Sequence, residues 1–184
     1  VVHLITGGID FLTLAHDRNL KQMTPAERDA LWTDVAEHVQ IIVDACLAVR
    51  PGILMAIADY DYLDLPALER FAGANYFYGA TVTEFNGWMV ELGRKKLEVA
   101  RKTDRCEYVQ NWGLLQYHLG DPPKAVPLPG AAPDYSPYPG GDCTLPMPAG
   151  IAPDGIHPNE KAHTLMVQNA VDRYYREWLA PDAG

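Results

Sequence analysis

Two apolar runs of strand length, Val1–Thr6 (VVHLIT) and Ile53–Ala58 (ILMAIA), stand on either side of one long segment with helical period. That order constrains the fold more than any other feature of the chain. Thr24-Pro25-Ala26-Glu27 combines an N-cap threonine, proline at the first helical position and a glutamate three residues on, which predicts a capping box. Leu31, Val35, Val39, Ile42 and Cys46 continue at steps of three and four until Pro51-Gly52 stops the pattern. A strand, a helix and a second continuously apolar strand predict a right-handed crossover and a parallel sheet.

Further along, a loop rich in Asp and Tyr (59–64) precedes a helix expected over about 81–102, with Val82, Phe85, Met89 and Leu92 on one face. Cys106–Gln110 is the third strand candidate, and 120–153, dense in proline and glycine, reads as a long loop or lid. Residues 159–179 close the chain as a helix whose stripe is Ala162, Met166, Ala170, Tyr174 and Trp178. Alternating strands and helices with parallel pairing predict one α/β domain over 1–184, a three-layer α/β/α sandwich. Its ligand site belongs beyond the carboxyl ends of the strands.

Composition removes several function classes. The net charge of -9 disfavours nucleic acid, because the one basic cluster, Arg94, Lys95, Lys96, Arg101 and Lys102, lies on a single expected helix. No apolar run approaches the ~20 residues of a bilayer span. Three cysteines without C-x-x-C spacing suggest neither a disulfide framework nor a zinc site, and Cys46 and Cys106 read as buried free thiols. His157, Glu160 and His163 are too spread around a helix to share a metal, and Asp59, Asp61 and Asp64 lack the glycine and glutamate of a calcium loop. The expectation is therefore no metal and no cofactor. Tyr60, Tyr62, Tyr76, Phe77, Tyr78, Tyr135 and Tyr138 either line a cleft or anchor their loops.

Chemistry is carried by two segments. Asp154-Gly155-Ile156-His157-Pro158 places a carboxylate three residues before an imidazole, so one turn can hold the acid on Nδ1 and leave Nε2 free. Read alone, the same residues make an ordinary helix entry. Gly7-Gly8-Ile9-Asp10, directly after the first strand, lets backbone N–H groups approach a ligand as an oxyanion hole requires.

In this order and on these elements, the two segments resemble the SGNH (GDSL-type) hydrolase family. Asp154, His157 and Pro158 match its D-x-x-H-P block, and Gly7, Gly8 and Asp10 match its G-x-N-D block, with Ile9 in place of the asparagine. The resemblance implies a flavodoxin-like SGNH fold from the third strand onward and a carboxylic ester hydrolase acting on a small-molecule, glycan or lipid ester. His157 would be the general base, Asp154 its orienter and Gly8 part of the oxyanion hole. The serine of the family's G-D-S block is not matched: the one serine, Ser136, lies in a proline-rich stretch with no strand before it. Because the chain opens Val-Val, a preceding segment or a complementing chain is expected to supply the serine and the missing strands. The rival reading is a binding or structural domain that kept the scaffold without the chemistry.

Overall fold

The computed structural model describes residues 1–137 and 142–180. It is an α/β fold on an open, all-parallel sheet of three strands, β1 (Val2–Ile5), β2 (Met55–Ala58) and β3 (Cys106–Val109), in the order β1-β2-β3. Helix α1 (Gly8–Asp17) follows β1, and α2 (Pro25–Ala48) makes the crossover to β2. Next come α3 (Leu65–Ala72) and α4 (Val82–Arg101), which leads into β3. After α5 (Leu114–Leu119) and the long loop, α6 (Glu160–Ala170), a π turn (Val171–Tyr175) and α7 (Arg176–Trp178) close the chain.

The long helices begin where the sequence requires. Thr24 with Glu27, and Thr81 with Glu84, each form a complete capping box. Of the predicted face of α2, Val35 and Val39 are buried and Leu31 and Cys46 pack against the core, whereas Ile42 is exposed and Trp32 and Val43 are buried beside them. Apolar residues lie on both candidate stripes, and Trp32 decides the rotation by packing on Phe11 of α1 and reaching Glu91 of α4 with its indole N–H. The closing helix also departs from the expected single run. Its stripe repeats every four residues and drifts about 40° per step on an ideal helix. The wider π turn brings Tyr174 back onto the sheet beside Ala170.

Side-chain size decides what covers each face of the sheet. Met55, Ile57 and Tyr108 pack with α2 and α4, while Ala56, Ala58 and Val109 leave room for Ala170 and Tyr174 on the other face. Strand β1 ends the sheet: among the described residues no strand pairs with its outer edge, and Val1 and Ile5 are exposed there. Cys46, Cys106 and Cys143 are free thiols, with Cys106 buried and the other two half-buried.

The loop 120–153 contains no helix or strand among its described residues. Its prolines cannot donate, so carbonyl oxygens are in surplus and side chains from the core meet them. Asn86 donates to the carbonyls of Cys143 and Leu145, Gln110 to those of Tyr135 and Pro137, and Arg173 to those of Pro129 and Gly130.

One acid ties two strand ends together. The Asp61 carboxylate, 1 % exposed, accepts from the N–H groups of Tyr62, Gly113 and Leu115 and so joins the loop after β2 to the start of α5. Burial pushes its pKa up to about 7, although those N–H donors pull the other way. A raised pKa means the folded state holds the proton more tightly than the unfolded chain. The contribution is therefore full below pH ~4 and is lost as pH rises through 7. In urea melts from pH 4 to pH 8, the stability of the wild type relative to Asp61→Asn is expected to fall as pH rises; a constant difference would show that Asp61 keeps an ordinary pKa.

Candidate functional site

The D-x-x-H turn is rigid for local reasons. Asp154 Oδ1 accepts from the backbone N–H groups of Ile156 (2.9 Å) and His157 (2.8 Å), and Oδ2 lies 2.6 Å from His157 Nδ1. These contacts, the side-chain bond to His157 first, lower the Asp154 pKa to about 2. An ionised carboxylate can only accept, so Nδ1 carries the hydrogen and Nε2 is left without one on the neutral ring. The imidazole is 71 % exposed and therefore reachable.

Two contacts fix where this turn sits. Gly155 has φ +84°, and a Cβ there would lie 2.5 Å from the Leu68 nitrogen and 2.8 Å from the Asp64 oxygen, so the turn presses directly on the start of α3. The Gly155 carbonyl accepts from the Asp64 N–H at 3.0 Å, and Asp64 in turn caps α3 through the Ala67 N–H. Ile156 packs into the cluster that contains Phe11, Leu63, Met89 and Leu92.

His157 and the whole Gly7-Gly8-Ile9-Asp10 segment line one cavity of about 320 Å³. Gly7 is the N-cap of α1, a helix the strand-and-turn pattern does not announce. Ile9 is 81 % exposed at the rim and has no side-chain donor to offer. Deeper walls are the apolar side chains of Phe11, Leu63, Met89, Leu92 and Trp112.

Below the glycine turn lies Lys96, one of the five basic residues that the sequence places together on this helix. Lys96, with 3 % of its side chain exposed, donates to the Thr6 carbonyl at 2.5 Å and pairs with the Asp59 carboxylate. Asp59 also accepts from the Tyr108 hydroxyl at 2.5 Å, and Trp112 Nε1 donates to that hydroxyl at 3.1 Å. Helix α4 comes this close because residue 93 is glycine: a Cβ would lie 2.7 Å from Trp112 Nε1 and 3.0 Å from the Tyr108 hydroxyl. The signal was present in the sequence. Lys96 falls four residues after Leu92 and seven after Met89, on the apolar stripe of α4.

Other candidates lie elsewhere. Ser136 is exposed and does not line this cavity, nor does any other described residue of 120–153, so the described part of that loop forms no lid over it. Of the aromatic residues, Tyr60 lines the cavity, Tyr62 and Phe77 are core, and Tyr76 and Tyr78 pack around His16. Tyr135 is buried against Tyr108, and Tyr138 lies outside the described residues. Asp59, Asp61 and Asp64 each anchor a different element. Among the described residues no three His, Cys, Asp or Glu side chains are grouped to hold a metal ion, and no helix is long and apolar enough to cross a membrane.

Compared with protein-family models, with curated proteins and with solved structures, the chain finds no match.

Two measurements follow from this geometry. Nitrogen-15 NMR at pH 8 is expected to show His157 as the Nδ1–H tautomer, and Asp154→Ala to remove that preference; an Nε2–H majority in the wild type would contradict the arrangement. Gly155→Ala, forced into a left-handed conformation against α3, is expected to lower stability by at least ~1–2 kcal/mol, read as a shifted urea midpoint.

Proposed function

We propose that this chain is the acid-and-histidine half of a serine hydrolase of the SGNH type, acting on carboxylic esters within a three-layer α/β/α sandwich. The observation that carries the reading is the Asp154–His157 pair at the same cavity as Gly7 and Gly8. In this scheme a serine from outside these 184 residues attacks the ester carbonyl, and its proton passes to His157 Nε2. Asp154, ionised down to pH about 2, holds the imidazolium that results. Collapse of the tetrahedral intermediate returns the proton to the departing alkoxide, while Gly8 faces the negative charge on the former carbonyl oxygen. Water then repeats the two proton transfers to release the acid. The outer edge of β1, which no strand among the described residues pairs, supports a complementing strand on that side, from a preceding segment or a second polypeptide, as the source of the serine.

One observation favours the non-catalytic rival. The exposed Ile9 side chain cannot stand in for the family's asparagine, and losing one oxyanion donor lowers rates by roughly 100- to 1000-fold.

The decisive experiment is fluorophosphonate labelling of the polypeptide expressed from its own gene. The expected result is a labelled serine outside these residues, with labelling abolished by His157→Ala; no labelling, or labelling indifferent to His157, establishes the non-catalytic reading. The 184-residue chain by itself is expected to turn over a short-chain nitrophenyl ester little or not at all, since loss of a nucleophile alone removes roughly a millionfold in rate. Robust turnover that His157→Ala abolishes and Ser136→Ala leaves intact would place the nucleophile within this chain at another residue.

A further inference from the structure

A helix on the surface of an α/β fold normally turns its charged residues outward. The second half of α2 does the reverse. Ile41, 64 % exposed, faces out with Ile42, Ala45, Ala48 and, at the end of the helix, Val49, 76 % exposed. Asp44 is the only Asp, Glu, Lys or Arg between Glu37 and Arg50. At 100° per residue, Asp34, His38, Ile41, Ala45 and Val49 fall on one stripe about 80° wide, with Ile42 at its edge.

The stripe runs into a groove. His38, Val39 and Ile42 of α2 line it on one side, Ile9, Asp10 and Leu14 of α1 on the other, and its volume is about 410 Å³. Ile9, 81 % exposed, therefore stands across the groove from Ile42. Neighbouring apolar side chains left in water over such a stretch mark a contact surface.

The spacing along α2 specifies the partner. Counted from Ile42, Asp34 lies eight residues toward the N-terminus and Arg50 eight residues toward the C-terminus. Both are exposed, and among the described residues neither is in an ion pair. Two copies of α2 packed antiparallel about Ile42 would bring each Asp34 opposite the Arg50 of the other, ~12 Å to either side of the centre at 1.5 Å per residue. A parallel arrangement would instead set Asp34 against Asp34. The groove lies at the level of residues 34–42 of α2, which the antiparallel arrangement places opposite residues 42–50 of the second copy. Val49 of the second copy is then the side chain that enters it, once on each side of the twofold axis. A patch complementary to itself in this way is what a closed dimer requires.

We propose that the outer face of α2 is a homodimer surface, on which a second copy of this chain packs its own α2 antiparallel, with Val49 in the groove between α1 and α2. The inference does not rest on the hydrolase reading: it uses neither the histidine turn nor a serine, and the outer edge of β1 takes no part in it. A contact built on one helix is small, so the dimer is weak and forms as concentration rises.

The test is sedimentation velocity of the 184-residue chain over a concentration series. The wild type is expected to pass from monomer to dimer, and Ile41→Glu to weaken association at least ~10-fold by placing a charge at the centre of the contact. Asp34→Lys and Arg50→Glu alone are each expected to weaken it roughly fivefold, and the double variant to restore it. All three positions are exposed, so the substitutions leave the core intact. A monomer at every concentration, association indifferent to Ile41→Glu, or a double variant as weak as the single ones would each overturn the proposal. Association lost in Ile5→Lys but kept in Ile41→Glu would place the contact at the edge of β1 and overturn it as well. The polypeptide expressed from its own gene is expected to give the same dimer, and a monomer there would show that another segment covers this face.

Discussion

The pair formed by Lys96 and Asp59 is the contact on which the carboxyl edge of the sheet depends. From α4, Lys96 reaches the residue after β1 through the Thr6 carbonyl and the residue after β2 through Asp59. Asp59 continues the tie to β3 through Tyr108, and the Asn111 amide donates to its backbone carbonyl at 2.7 Å. One helix side chain thus gathers all three strand ends. Both partners are almost fully buried, so removing either leaves an uncompensated charge, which typically destabilises by ~3–5 kcal/mol. The glycine turn at the cavity is held from below by this contact, since Thr6 immediately precedes Gly7.

The six residues from Asp59 to Asp64 then distribute that order to the rest of the site. Asp59 faces α4, Asp61 fixes the start of α5, and Asp64 caps α3 while its N–H holds the Gly155 carbonyl. The histidine turn therefore stands at a fixed distance from the sheet although it follows a long loop. Three acids that look alike in the sequence have separate structural tasks, and burial separates them: Asp59 is paired with a cation, Asp61 is satisfied by backbone N–H groups alone, and Asp64 is half-exposed.

What the sequence made legible was whatever a few neighbouring residues determine. The two capping boxes, the continuously apolar strands with their parallel pairing, and the Asp154–His157 turn depend on spacings of four residues or fewer, or on runs of one character. Helices α1, α3 and α5 were not legible, because 10, 8 and 6 residues are too short to display a helical period and their starts are set by tertiary contacts. The rotation of α2 depended on where Trp32 found a partner, which no local pattern states. The burial of Lys96 was not legible because adjacent basic residues read as one cluster on a helix, although Lys95 pairs with Asp29 at the surface and Lys96 turns inward. Gly93 was the overlooked clue, since a glycine inside a long helix is unfavourable by ~1 kcal/mol unless something must approach it closely.

These different origins bear on how the site should be weighed. The Asp154–His157 pair folds with its own turn, so a chain that had lost all chemistry would still form it. The floor of the cavity has no such local cause. A lysine buried beneath a glycine turn brings a desolvation penalty that a well-packed apolar residue would avoid, often with a gain of ~1–4 kcal/mol when both charges are replaced. What the pair adds is direction: an apolar residue could fill the space but could not bond the Thr6 carbonyl and hold Asp59 at the ends of β1 and β2. The floor of the cavity is accordingly set by tertiary contacts among three strand ends, whereas the histidine at its rim is set by its own turn.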